Sequence, residues 1–279
     1  MTTAPINKII PLSLVDGPGN RTSIFLQGCN LACTYCHNPE TQTVCNHCGI
    51  CVSGCPSGAL SIAHNRVKWD TEICMLCDQC IHVCPTSSSP RVRNMSPEEV
   101  FQEIQMNIPF IRGITLSGGE CTLYPIFLKK LFALAHEKGL TCLIDSNGTT
   151  DFSRFPELME LCHGVMLDVK AWDEETYKKL TGGTTNSIVK KNLQFLADSN
   201  KLEELRIVCL PDEVDAEAVI SGIAETIGEK VGSVRLKLIK FRRYGVKGHL
   251  QSTPSPSNAY MEKLLGLANR CGFVKAVIV

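Results

Sequence analysis

Three closely spaced cysteines are the first residues in this sequence whose types and spacing indicate chemistry. They lie in residues 28–40, which read GCNLACTYCHNPE, at positions Cys29, Cys33 and Cys36. Three thiolates can hold three irons of a cubane iron–sulfur cluster, which leaves the fourth iron open. A catalytic metal keeps such an open position, whereas a structural metal closes it. The spacing therefore predicts a [4Fe–4S] cluster with one iron available to a ligand.

A second cysteine pattern occurs twice downstream. CNHCGICVSGCP (45–56) and CMLCDQCIHVCP (74–85) both read C-x2-C-x2-C-x3-C-P. This is the run of bacterial two-cluster ferredoxins, in which the fourth cysteine of each run binds the other cluster. The predicted ligands of the two auxiliary [4Fe–4S] clusters are Cys45, Cys48, Cys51 and Cys84 for the first, and Cys74, Cys77, Cys80 and Cys55 for the second. The alternative is a zinc ribbon, which uses only four ligands in two C-x2-C pairs.

Composition and charge exclude several other classes. Eleven of the sixteen cysteines lie between Cys29 and Cys84, and the first residues do not form a secretory signal, so we expect reduced cysteines that bind metal in an anaerobic cytoplasm. The other five are expected to be small buried hydrophobes: Cys121, Cys142, Cys162, Cys209 and Cys271. With 28 basic and 28 acidic residues, the chain has no net attraction to nucleic acid, and no apolar run is long enough to predict a membrane span.

The residues around the first three cysteines resemble the radical S-adenosylmethionine (SAM) enzymes, and within them the activating enzymes of glycyl radical enzymes. VDGPGNRTSIFLQG (15–28) precedes the cysteines and HNP follows Cys36. In that family, SAM chelates the open iron through its amino and carboxylate groups. Reductive cleavage of SAM then yields a 5′-deoxyadenosyl radical, and the protein orients the reactants.

The resemblance also implies a set of SAM contacts. Tyr35 matches an aromatic residue near the adenine. GITLSGGECTLYP (113–125) supplies Gly118, Gly119 and Glu120, the motif that holds the SAM amino group. Glycines allow close approach of the backbone, and a carboxylate accepts from an ammonium group. Cys121 stands where the family often has proline.

The next strands carry further charged residues at their ends. By resemblance, Asp145 and Asp168 contact SAM and, with the backbone oxygen of Met166, form a site for a monovalent cation. Lys170 and Arg206 complete the predicted SAM contacts. The carboxyl ends of parallel strands meet at one edge of a sheet, which agrees with these positions. Helix N-caps are an equal alternative for the two aspartates.

One segment departs from the family pattern. Better-known activating enzymes carry a histidine after the sixth strand, whereas this chain reads Phe241, Arg242, Arg243 and Tyr244. Tyr244 is one replacement for the missing contact, and arginines facing water or a partner are the alternative.

Hydrophobic periodicity predicts an α/β fold. We expect an incomplete (β/α)6 barrel with a small ferredoxin-like insertion at residues 40–90, so that the barrel comprises residues 1–39 and 91–279. The loop TSSSPR is expected to be a linker. The six predicted strands lie near residues 23–26, 113–116, 141–144, 164–169, 204–209 and 234–239, and SPEEVFQEIQ predicts a helix with a Ser96–Glu99 capping box.

Three functions are compatible with these features. The favoured one is an activase that uses SAM and one electron, from flavodoxin or ferredoxin, to abstract the α-hydrogen of a glycine in a partner glycyl radical enzyme. No general acid or base is needed, because a carbon radical abstracts the hydrogen. The alternatives are a radical SAM enzyme acting on another peptide or small molecule, and an electron-transfer protein without catalysis. The last leaves Gly118–Glu120 and the strand-end acids without a role.

Overall fold

The computed structural model describes residues 2–243, 246 and 248–279. The strands within these residues are β1 (Ala4–Ser13), β2 (Arg21–Leu26), β3 (Leu60–Ala63), β4 (Arg66–Trp69), β5 (Arg93–Met95), β6 (Gly113–Gly118), β7 (Thr141–Ser146), β8 (Gly164–Asp168), β9 (Leu202–Cys209), β10 (Arg235–Lys240) and β11 (Lys275–Ile278). The helices are α1 (Gln79–His82), α2 (Pro97–Ile104), α3 (Pro125–His136), α4 (Pro156–Leu161), α5 (Glu174–Thr181), α6 (Ser187–Asp198), α7 (Ala216–Ile227) and α8 (Asn258–Arg270).

Most strands belong to one mixed sheet with the order β11-β10-β9-β8-β7-β6-β2-β1-β5. Every pair from β11 to β2 is parallel, whereas β1 pairs antiparallel with β2 and β5. The six predicted strands are all present, and the α/β class is confirmed. The sequence pattern missed β1, which contains Pro5 and Pro11, and β5 and β11, which are short. The parallel register gathers the carboxyl ends of β6 to β10 at one edge.

The helices pack against the sheet, and α2, α5 and α8 begin with a capping side chain. At α2 the predicted capping box is present: Glu99 N donates to Ser96 Oγ at 3.2 Å, and Ser96 N donates to the Glu99 carboxylate at 2.7 Å. Apolar side chains from the helices and the strands form one large core. None of the helices in the described ranges is both long and apolar enough to cross a bilayer.

The Asp-Gly-Pro-Gly turn before β2 is anchored by a buried arginine. Arg21 is 1% exposed, and its guanidinium donates to Thr115 Oγ1 at 2.8 Å, to Thr141 Oγ1 at 2.9 Å and to Ile114 O at 2.7 Å. Burial lowers its pKa to about 10, so the side chain stays cationic at neutral pH. Because these partners lie on β6 and β7, Arg21 links β2 to both of these strands. The contacts lie at the amino ends of the three strands, which is the edge opposite to their carboxyl ends.

The cysteine-rich segment has a small core of its own. Strands β3 and β4 form a separate antiparallel hairpin. Leu60 and Val67 of that hairpin pack with Cys51, and Cys55 and Trp69 pack against them. This cluster is distinct from the large core, which agrees with an insertion that folds around its own contacts.

The loop TSSSPR is more than a flexible linker. Ser88 and Ser89 are each 2% exposed. Thr43 Oγ1 donates to Thr86 O at 3.0 Å, and Ser89 N donates to Glu40 O at 3.3 Å. These bonds bring the two ends of the cysteine-rich segment side by side.

Candidate active site

A cavity of about 170 Å³ lies at the carboxyl ends of β6 to β10 and brings together most of the predicted site residues. The predicted residues that line it are Cys29, Cys33, Tyr35, Cys36, Gly118, Gly119, Asp145, Asp168, Lys170 and Arg206. These residues come from separate parts of the sequence and converge only through the parallel sheet. Glu120 and Met166 lie outside the lining of this cavity.

The loop that carries the three cysteines is held by the end of a helix. Ala32 N donates to Thr181 O at 2.8 Å, and Thr34 N donates to Leu180 O at 2.9 Å. The last carbonyls of a helix lack partners within the helix and need donors from elsewhere. Helix α5 therefore fixes the backbone between Cys29 and Cys36.

The three thiols are suited to a metal rather than to free thiolates. Burial raises the pKa of Cys29 to about 11 and that of Cys36 to about 12, and it also raises the pKa of Cys33. Thiolates at neutral pH therefore require the positive charge of bound iron. Leu31 N donates to Cys29 Sγ at 3.4 Å, a donor of the kind that stabilises a ligating sulfur. The donor set fits an iron–sulfur cluster.

Gly118 and Gly119 serve chain packing as well as the cavity. A Cβ on Gly119 would lie 2.2 Å from Gly28 O, and a Cβ on Gly118 would lie 2.2 Å from Leu26 O. Gly118 also has a φ of +115°, in the range that favours glycine. Glu120 N donates to Gly28 O at 2.8 Å. The two glycines thus let the end of β6 lie directly against the backbone that leads into the cysteine loop.

Replacing Gly119 with alanine should disturb this contact. The Cβ meets backbone atoms, which cannot rotate away as a side chain can, so we expect a loss of about 2–4 kcal/mol in unfolding free energy. Urea denaturation of the apoprotein measures it. Gly266→Ala in α8 is the matched control, since a Cβ there meets only Arg270 Nη1, at 3.5 Å. Equal stability of the two variants would contradict the packing role.

Glu120 is directed into the protein. Its carboxylate accepts from Thr122 N at 3.0 Å, Ser146 Oγ at 2.9 Å and Asn147 N at 2.7 Å, and the side chain is 1% exposed. Burial raises its pKa, and these donors oppose the rise. In this arrangement the carboxylate organises the loop after β7, and of the three-residue motif only Gly118 and Gly119 face the cavity.

Arg206 is the centre of a buried charge network. Its Nη1 donates to Asp145 Oδ2 at 2.8 Å and its Nε donates to Glu204 Oε1 at 2.7 Å. Burial raises the pKa of Asp145 while Arg206 opposes that rise, and the two acids raise the pKa of Arg206 well above its usual value despite burial. The network places the Asp145 carboxyl group and the Arg206 guanidinium at the cavity wall.

A second ion pair lines the same cavity. Lys170 Nζ donates to Asp168 Oδ2 at 3.0 Å, and the ammonium lies 5.8 Å from the centre of the Tyr35 ring. Burial acts to lower the pKa of Lys170, but Asp168 and Cys33 raise it well above its usual value. Tyr35 is 2% exposed and donates to Lys170 O at 3.5 Å. The lysine remains charged beside the cysteines.

Two other roles were predicted for Asp145 and Asp168: helix N-caps and ligands of a monovalent cation. Asp145 lies within β7 and Asp168 ends β8, so neither is a helix N-cap. Met166 is fully buried, its chain pairs with β9, and its Sδ accepts from Arg206 Nη2 at 3.2 Å. Because Arg206 and Lys170 already neutralise the acids, the electrostatic reason for a monovalent cation is weak. The cation site stays a prediction.

Several residues that line the cavity were absent from the predicted set, among them Asn147 and His37. Asn147 Nδ2 lies 3.7 Å from Cys29 Sγ and donates to Asn30 Oδ1 at 3.1 Å. His37 accepts from Arg242 N at 3.4 Å, and its ring lies 6.5 Å from that of Phe241. Asn147 belongs to the DSNG motif and His37 to the CHNP motif, and these motifs are the sequence features that could have predicted both residues. Tyr244 lies outside the described residues.

A group of His136, Cys142 and His163 also has metal-binding residue types. Their ligand atoms lie within 4.8 Å of one another. However, His163 Nδ1 accepts from Cys142 N at 3.1 Å, and His136 Nε2 lies 2.8 Å from Leu161 O. These bonds give both rings a structural role, and the fully buried Cys142 agrees with the predicted buried hydrophobe.

The cysteine-rich segment contains a buried donor close to one of its cysteines. Trp69 Nε1 is buried without a hydrogen-bond partner. Burial acts to raise the pKa of Cys74, but Leu76 N, Trp69 and Arg91 together lower it. The indole N–H therefore lies near this thiol without reaching hydrogen-bond geometry. A buried donor needs an acceptor, and the sulfurs of an iron–sulfur cluster provide one.

Comparisons with known proteins found a matching family model, relatives and a structure of similar fold. The model of the Radical SAM superfamily matches residues 23–220. The benzylsuccinate synthase activating enzyme of Thauera aromatica is 31% identical over 265 residues, which cover 86% of this chain and 79% of that protein. The indoleacetate decarboxylase activating enzyme of Tractidigestivibacter scatoligenes is 28% identical over 316 residues, covering 99% and 97%. The structure of QueE from Escherichia coli matches with a TM-score of 0.58 at 14% identity, covering 100% and 95%, which supports the fold alone.

Proposed function

Because this chain belongs to the radical SAM superfamily and to its glycyl-radical-enzyme activating enzymes, we propose that it abstracts the α-hydrogen of one glycine in a partner enzyme. The observation that carries this proposal is one cavity that is lined by Cys29, Cys33 and Cys36 and also by two partly buried ion pairs. An electron-transfer protein would need the cysteines but not the two ion pairs beside them.

The family implies a [4Fe–4S] cluster and SAM. When bound, they supply a one-electron reductive cleavage of SAM, which gives methionine and a 5′-deoxyadenosyl radical that takes a hydrogen atom from glycine. The protein contributes no proton transfer to this step. Its task is to bind, to orient and to exclude water.

Different residues of the cavity would bind the cluster and would bind and orient SAM. Cys29, Cys33 and Cys36 would hold three irons and leave the fourth for SAM. The Lys170 ammonium suits the SAM carboxylate, and the Asp145 carboxylate can accept a hydrogen bond from its amino group. The backbone of Gly118 and Gly119 borders the same space, and the buried Tyr35 ring lies beside Lys170 on the side proposed for the adenine.

An anaerobic assay tests the function. The protein is reconstituted with iron and sulfide, reduced with dithionite and given SAM, and 5′-deoxyadenosine is measured. We expect about twelve irons per chain and SAM cleavage. Candidate glycyl radical enzymes are then added, and electron paramagnetic resonance (EPR) detects a glycine-centred radical in the correct partner. Cleavage without a radical in any glycyl radical enzyme would favour another substrate, and no cleavage by the loaded protein would contradict the proposal.

We further propose that residues 40–90 form a ferredoxin-like insert with two [4Fe–4S] clusters, and that flavodoxin or ferredoxin supplies the electron. The doubled cysteine run supports this, as do the separate small core and the unpartnered Trp69 N–H. Hydrogen bonds join the two ends of the segment. They also support a compact unit, because both of its ends then connect to the barrel at one place.

Removal of one auxiliary ligand tests the insert. Cys77 is exposed and is a predicted ligand of the second auxiliary cluster. We expect Cys77→Ala to lower the iron content from about twelve to about eight and to remove one EPR signal that does not respond to SAM. The SAM-responsive signal should persist. Zinc in place of the missing iron, or an unchanged iron content, would contradict the two-cluster insert.

A further inference from the structure

The sulfur of Cys29 accepts from two N–H donors of the protein. Leu31 N donates to Cys29 Sγ at 3.4 Å, and Asn147 Nδ2 donates to the same atom at 3.7 Å. The first donor is a backbone group of the cysteine loop itself, whereas the second is a side chain from the loop that follows β7. Asn147 lines the cavity and is 6% exposed, so little water competes for its amide group.

The orientation of the Asn147 amide follows from its other partners. Its Oδ1 accepts from Thr149 N at 3.0 Å and from Thr149 Oγ1 at 2.7 Å. A backbone N–H can only donate, so the carbonyl oxygen must face Thr149 and the NH2 group must face the cysteine loop. Its Nδ2 donates to Asn30 Oδ1 at 3.1 Å, which uses one of the two hydrogens. The other hydrogen is available to Cys29 Sγ.

Glu120 connects the loop that carries Asn147 to the backbone that carries Cys29. Asn147 N donates to Glu120 Oε2 at 2.7 Å, and Ser146 Oγ donates to Glu120 Oε1 at 2.9 Å. Glu120 N donates to Gly28 O at 2.8 Å, directly before Cys29. A donor that is held in place in this way loses little conformational entropy when it bonds to a sulfur.

We propose that Asn147 donates a hydrogen bond to the sulfur of Cys29 when this cysteine binds the cluster, and thereby raises the reduction potential of that cluster. The inference rests on the proposed function, which assigns the cluster to Cys29, Cys33 and Cys36. Reduction adds negative charge to the cluster, so a donor to one of its sulfurs stabilises the reduced state more than the oxidised one. Asn147 is thus a positioning residue that acts through Cys29 on the first electron transfer.

The variant Asn147→Leu tests the proposal, because it removes the NH2 group without adding charge. The reconstituted holoenzyme is titrated with dithionite, and EPR follows the cluster whose signal responds to SAM. We expect about a tenfold lower ratio of reduced to oxidised cluster at a given potential, equivalent to about 59 mV toward more negative values. In pulsed EPR spectra the coupling of one exchangeable proton to the reduced cluster should disappear, while that of the Leu31 N–H should remain.

A second variant carries the test if Asn147→Leu fails to fold. Asn147→Asp keeps an acceptor for both donors of Thr149 and replaces only the NH2 group by oxygen. The same proton coupling should disappear. The ratio of reduced to oxidised cluster should fall at least as far as in Asn147→Leu, since a carboxylate beside the sulfur adds repulsion to the loss of the donor.

Asn30→Ala is the matched control. Asn30 is exposed and accepts the other hydrogen of the same NH2 group, so this variant leaves the donor to Cys29 in place. Its potential and its proton coupling should stay close to those of the wild type. An equal shift in Asn30→Ala would overturn the inference, because disturbance of the loop would then explain both results.

Three further outcomes separate the inference from the proposed function. An unchanged potential in an iron-loaded Asn147→Leu protein would overturn the inference, and weaker SAM binding at that unchanged potential would assign the amide to SAM instead. The expected shift in a protein that cleaves no SAM would support the inference and contradict the proposed function. A wild-type protein without a SAM-responsive signal would contradict both.

Discussion

Replacing Cys33 with alanine is expected to abolish SAM cleavage while about eight irons remain bound in the insert. Cys33 is the middle ligand of the proposed catalytic cluster and lies in the cavity with Lys170 and Asp168. Loss of a direct ligand should reduce 5′-deoxyadenosine formation by more than about a hundredfold, which exceeds the effect typical of outer-shell residues. Iron analysis, EPR with and without SAM, and product measurement together check this expectation.

The matched control is Cys162→Ala, which makes the same change at a fully buried cysteine outside the cavity. That variant should keep about twelve irons and its SAM-responsive signal, with at most a moderate loss of stability. If Cys33→Ala still cleaves SAM, the three upstream cysteines do not hold the catalytic cluster. If it instead loses all iron, the three sites do not assemble independently.

Replacing Arg206 with methionine is expected to cost about 3–5 kcal/mol in the unfolding free energy of the apoprotein. The side chain of Arg206 is 13% exposed, and its partners Asp145 and Glu204 are 14% and 2% exposed. Without the guanidinium, Asp145 is a buried carboxylate with only Ser117 Oγ as a donor in this network, at 2.9 Å. Lys237 still pairs with Glu204 at 3.1 Å, so most of the cost should come from Asp145.

Two further variants isolate the source of this cost. In Arg206→Met combined with Asp145→Asn, the uncompensated charge is absent, and part of the lost stability should return. Arg206→Lys keeps the charge but cannot bond both acids with one planar group, so it should fall between wild type and Arg206→Met. Urea denaturation measures all three. A double variant that is less stable than the sum of its single changes would contradict a role based on charge pairing.

The chemistry of this protein could be predicted from short stretches of its sequence. Cysteine spacing alone predicts the three cluster sites, because ligands of one cubane must lie within a short loop or recur in a fixed pattern. The six predicted strands are buried apolar runs, which hydrophobicity reveals without tertiary information. The capping box of α2 is likewise a contact between residues three positions apart.

Other features of the site depend on which strands and helices become neighbours. Gly119 meets Gly28, and Arg206 meets Asp145 across 61 positions of sequence. The family motif places Glu120 at the ligand, whereas the neighbouring loop after β7 turns its carboxylate into the protein.

The sequence by itself thus determined the kind of metal chemistry and the strands that surround it, because ligand type, spacing and hydrophobic periodicity are local properties. The tertiary structure decided which carbonyls of α5 hold the cysteine loop. Those contacts follow from the parallel order of the strands and from the burial of polar groups that must find partners, and no local pattern encodes either one.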